Sequence, residues 1–150
     1  MSGFASGLSG ALLLAQGRAE GLDRVGPTPQ DAARSFWAGV LCLPAFLFLR
    51  VLDWAWQGAP PHPGHAMALQ LLAYVVGWAA FALASRPLVA AFDQMPRWPL
   101  FIAVWNWCNV VQYLLLAGAA LPRLLGAPAW LDETVGLVAI GWAIWLEWYA

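Results

Sequence analysis

From Trp98 to Leu121 the chain runs for 24 residues without a charge. At about 1.5 Å per residue, a helix of that length crosses a hydrocarbon core of about 30 Å. Its centre is nonetheless polar. Asn106, Asn109, Gln112 and Tyr113 interrupt the apolar run, and amides turned to lipid would find no hydrogen-bond partners. The segment therefore predicts a membrane span that needs a protein neighbour along one side. Composition agrees: 62% of the residues are hydrophobic and only 10% are charged, whereas a soluble domain carries about 25% charged residues. Lysine is absent, so all 7 cationic residues are Arg, and the net charge is −1. That balance argues against a nucleic-acid partner and offers no polybasic lipid anchor.

The expected fold class is all-α, a polytopic membrane bundle of about four spans behind a short N-terminal segment. The spans are drawn at about 35–52, 66–85, 98–121 and 130–150. Arg50 lies inside the first and must snorkel; Trp54 and Trp56 beyond it suit an aromatic belt. The second is expected to close at Arg86-Pro87, because proline disrupts a helix interior. The fourth carries Asp132 and Glu133 in its first turn and Glu147 near its end, with aromatic residues marking both ends. Residues 1–34 mix Phe4, Leu8 and Leu12 to Leu14 with Gly3, Gly7 and Gly10. They read as an amphipathic helix in the interface, with a frayed terminus as the alternative. No basic stretch precedes these apolar residues, so a cleaved signal peptide is not expected. Thr28 or Asp31 is placed to cap the entry to the first span.

Arginine asymmetry sets the expected orientation. Arg18, Arg24, Arg34, Arg86 and Arg97 fall on one side, and Arg50 and Arg123 on the other. The N-terminus is then cytoplasmic, in a bacterial inner membrane.

Few constellations bear chemistry. Asn106, Asn109 and Tyr113 share one face of a helix, with Gln112 at its margin. This seam reads either as interhelical hydrogen bonding or as a path for a ligand or permeant. Gln70, Tyr74, Gly77, Phe81 and Ser85 share a face of the second span, where Gln70 or Tyr74 would reach the seam and Gly77 would admit close backbone approach. Gly136, Ala139 and Ala143 form a small-residue packing face on the fourth span, beside Trp142, Trp145 and Trp148. No ionisable residue is expected beside the seam. Arg50 and Asp53 are spaced as a local ion pair. His62 and His65, in a proline-rich connector, are weak metal candidates that would need Asp53, or Asp132 and Glu133, to complete a site. Cys42 and Cys108 sit in apolar runs as packing residues. No nucleophile elbow, zinc-protease motif, phosphate loop or dinucleotide fingerprint occurs, and no cofactor is expected.

The segments LCLP (Leu41–Pro44), YVVGW (Tyr74–Trp78) and VWNWCNVVQ (Val104–Gln112) resemble small integral membrane proteins of alphaproteobacterial type, distantly similar to the Yip1 family. That resemblance implies a helical membrane domain, typically of five spans, without known enzymatic activity; eukaryotic members act in membrane trafficking with small GTPases. It transfers no functional residue. The expected role is non-enzymatic, through protein or lipid contacts, with the lipid bilayer and a membrane-protein partner or second copy as partners. The alternatives are a small carrier or channel on the Asn106–Asn109–Gln112 seam, and a membrane enzyme or quinone-linked subunit on the His62, His65, Asp132 and Glu133 side.

Overall fold

The structure, a computed structural model, describes residues 3–150 and is all-α over that range. Helix α1 (Gly3–Leu14) leads through a 3-10 turn (Ala19–Arg24) to α2 (Pro29–Ser35), which runs into α3 (Trp37–Gln57). Helix α4 (Pro63–Ala91) and a second 3-10 turn (Met95–Arg97) precede α5 (Trp98–Ala119), the short α6 (Leu121–Leu124) and α7 (Ala129–Tyr149). Four stretches are long and apolar enough to cross a membrane: Pro29–Gln57, Pro63–Ala91, Met95–Leu124 and Ala129–Tyr149. The chain is a multi-pass membrane protein.

Local chemistry explains the boundaries. Thr28 caps α2: its Oγ1 accepts from the Asp31 backbone N–H at 3.1 Å, and the Thr28 N–H donates to Asp31 Oδ2 at 3.3 Å. Pro29 follows at the first helical position, where its missing N–H costs nothing. Gly58, at φ 96°, ends α3 in a conformation that favours glycine. The second span differs from expectation. Helix α4 does not close at Arg86-Pro87 but continues to Ala91. Proline there forfeits one bond, to the Leu83 carbonyl, in the last turns of a long helix, and the remaining ladder carries the helix on.

Helix α5 is the hub. Of its apolar stretch 44% is buried, against 33% for the first span and 11% each for α4 and α7. Ile102, Ala103, Val104, Trp107, Cys108 and Val110 of α5 are buried, and most pack with Ala38 and Cys42 of α3, Trp78 of α4 and Leu146 of α7. Both cysteines are free thiols inside this core. The N-terminal segment is built into it as well. Ala11 and Leu14 of α1 are fully buried, Gly7 lies against the Trp107 indole, and Phe4 meets the Trp107 ring edge-on at 5.8 Å. The helix expected along the membrane surface thus docks on α5, where Gly7 leaves room for the Trp107 indole, while Gly10 meets the 3-10 turn at Gly21.

Candidate functional site

The polar residues of α5 do not form one stripe. At about 100° per residue, Asn106 and Gln112 point about 120° apart, and each finds a different helix. Fully buried Asn106 donates from Nδ2 to Ser35 Oγ of α2 at 2.7 Å, while Ser35 Oγ donates to Ala32 O. Asn106 Oδ1 is buried without a partner. Gln112 turns to α7, where Nε2 donates to Ala143 O at 3.2 Å and to Glu147 Oε1 at 2.9 Å. An ionisable group therefore does stand beside the seam; it arrives from a helix 35 residues away, beyond any sequence-local pattern. Asn109 donates to its own helix, at Trp105 O.

The remaining polar residues converge elsewhere. A lateral cleft of about 580 Å³ opens between α3, α4 and α5, lined by Gln70, Tyr74, Gly77, Asn109 and Tyr113 together with Phe46, Arg50, Ala73, Trp78, Phe81 and Trp105. Four seam candidates, Gln70, Tyr74, Asn109 and Tyr113, meet here; Asn106 and Gln112 lie outside it. Tyr74 ties the walls together: its hydroxyl donates to Gly39 O of α3 at 2.6 Å, and its ring lies 4.6 Å from Phe46 and 6.2 Å from Tyr113. That bond lands beside the weakened turn of α3, since Pro44 cannot donate to Val40 O. The floor is aromatic. Phe81 stacks on Trp105 at 3.8 Å, and Trp78 meets Trp105 at 5.4 Å. Further along, Trp98 Nε1 donates to Ser85 Oγ at 3.2 Å. These rungs hold α4 to α5 at one end and leave it splayed at the other. Gln70 Oε1 is buried there without a hydrogen-bond partner.

Arg50 is the one charged side chain of this lining, and its role is missed by sequence spacing. The expected Arg50–Asp53 pair does not form. The Asp53 carboxylate accepts from Gln57 Nε2, and the Arg50 guanidinium lies over the Phe46 ring, 5.6 Å from its centroid. Cation–π contact and a local amide satisfy the two groups separately. A phenylalanine four residues before the arginine is the available signal.

The packing residues divide. Ala139 is buried, and Ala143 offers its carbonyl to Gln112. Gly77 and Gly136 do not admit a close backbone neighbour: a Cβ added at either meets nothing within 4 Å. Gly77→Leu is accordingly expected to leave the thermal midpoint in detergent unchanged or slightly raised, since glycine inside a helix costs about 1 kcal/mol relative to better helix formers. A clear fall in the midpoint would show a close contact that this geometry lacks.

His62 precedes α4 and His65 lies in its first turn, both exposed. Among the described residues, no three His, Cys, Asp or Glu side chains gather as a metal-binding group. Asp53, Asp132 and Glu133 thus do not complete a site with the histidines. The chain matches no protein-family model, no curated protein and no solved structure.

Proposed function

We propose that this protein is a non-enzymatic component of a bacterial inner membrane that works by holding a lipid or protein partner in the cleft between α3, α4 and α5. The observation that carries the reading is the cleft itself. It is open to the side, walled by rings, and carries the Arg50 guanidinium, without an acidic partner among the described residues, beside Gln70, whose buried Oε1 has no hydrogen-bond partner. Buried polar atoms normally have partners, so an orphan on a cleft wall is a reason to look for a ligand. A carrier path along Asn106, Asn109 and Gln112 has less support, because the three amides serve three different contacts. The arginine distribution supports a cytoplasmic N-terminus, which would turn the α3–α4 connector to the opposite side. The likeness to the Yip1 family is in keeping with a role without chemistry and belongs to this proposal.

A photo-crosslinking residue at Ala73, on the cleft wall, is expected to capture a partner in native membranes, and Gly77→Trp, which fills the cleft, is expected to suppress that capture. The same probe at Leu83, exposed on α4, should label bulk lipid whether or not Gly77 is changed. Capture at Ala73 that survives Gly77→Trp would overturn the reading.

A further inference from the structure

We infer that the α3–α4–α5 cleft seats an anionic phospholipid, its phosphate at Arg50 and its chain along the aromatic floor. This rests on the reading of the cleft as a binding site.

Depth is the first support. Arg50 lies seven residues before the end of α3 at Gln57, Gln70 seven after the start of α4 at Pro63, and Tyr113 six before the end of α5 at Ala119. All three helix ends lie at the same end of the bundle. The three side chains therefore stand at one level, about 10 Å in from it. Tyr74 and Asn109 come one turn deeper, and Trp78, Phe81 and Trp105 deeper still. The lining grades from cation, amide and phenol at one leaflet to rings further in. That is the polarity profile of a headgroup followed by a chain.

Charge is the second. Among the described residues Arg50 has no acidic partner, and Asp53, one turn on, is occupied by Gln57. A guanidinium held against Phe46 keeps its donor edge free and suits a phosphate in a two-pronged contact. A zwitterionic headgroup brings a phosphate too, but sets its own cation beside the guanidinium. Third, Gln70 Oε1 needs a donor. A glycerol headgroup has hydroxyls to give, and phosphatidylglycerol accordingly serves as the probe.

The whole protein in a mild detergent is titrated with phosphatidylglycerol or with phosphatidylcholine of the same chains, and bound lipid is read by native mass spectrometry. Phosphatidylglycerol should be retained about fivefold better, the scale of one arginine near a membrane surface. Arg50→Gln should bring the two lipids level, Arg50→Lys should keep the preference, and Gly77→Trp should remove both adducts. Thermal unfolding of each variant in parallel separates lost binding from lost fold, and Ala73→Trp serves as a second filler if Gly77→Trp unfolds. Equal retention of both lipids, still abolished by a filler, overturns the anionic headgroup and leaves the cleft reading standing. A preference that survives Arg50→Gln overturns the assignment of the phosphate. Adducts indifferent to either filler overturn the cleft reading as well.

Discussion

Gly10→Val is expected to lower the thermal midpoint in detergent by roughly 5 °C, the scale of an overpacking cost of about 1–3 kcal/mol in a chain of this size. The reason lies in what occupies the space where a Cβ would go. The Gly21 carbonyl oxygen stands 2.7 Å from that point, with Val25 Cγ2 at 2.8 Å and Arg24 Cβ at 3.1 Å. A carbonyl of the main chain cannot swing aside like a side-chain tip. It belongs to a 3-10 turn whose Gly21 N–H is already bonded to Arg18 O at 3.1 Å. A branched side chain must therefore lift α1 from the turn, and α1 carries Ala11 and Leu14 into the core. Trp107, covered by Gly7 and Phe4, loses its lid. Trypsin cleavage after Arg18 or Arg24 should then accelerate alongside the lower midpoint. An unchanged midpoint with unchanged cleavage would mean that α1 rests on the bundle without supporting it.

The same helix shows where sequence reasoning stops. A membrane imposes its thickness on every span, so hydropathy alone locates the four long helices. It says nothing of which helix lies in the middle. Asn106, Asn109, Gln112 and Tyr113 read as one seam because a single neighbour was assumed, whereas α5 is enclosed by α1, α2, α3, α4 and α7 and each polar side chain takes the nearest. Gly3, Gly7 and Gly10 read as weak helix formers in a surface segment. Small residues also suit close contacts, and only the neighbours decide between the two: Trp107 at Gly7 and the Gly21 carbonyl at Gly10. Gln70, Tyr74 and Phe81 were legible as a face of the second span, since their helical spacing puts them on one side. The splay that turns that face into a cleft depends on where rings stack, at Phe81 on Trp105, and that is a property of two helices together.

Removing the partner of Glu147 should cost more than removing Glu147 itself. The Glu147 carboxylate accepts from Gln112 Nε2 at 2.9 Å, has the Trp105 side chain as a second donor, and borders a narrow cleft with Phe101, Val104 and Cys108. Gln112→Leu leaves that carboxylate with the Trp105 side chain as its remaining donor, at an expected cost of about 1–2 kcal/mol in unfolding free energy, on the scale of one hydrogen bond to a charged group. Glu147→Leu removes the charge and leaves Gln112 its bond to Ala143 O, so its cost should stay below about 1 kcal/mol, as for a typical interhelical hydrogen bond in a membrane. The double variant should then be more stable than Gln112→Leu alone, because both members of the polar pair are gone together. Glu147→Gln keeps an acceptor without the charge and should sit near the native protein. Unfolding in mixed micelles across the four variants reads the coupling directly. Strictly additive losses would mean that the Gln112–Glu147 contact carries no weight in the bundle and that Glu147 finds its partner in the headgroups. A positive coupling would make this pair, and not the whole α5 seam, the polar contact that seats α7 on the hub.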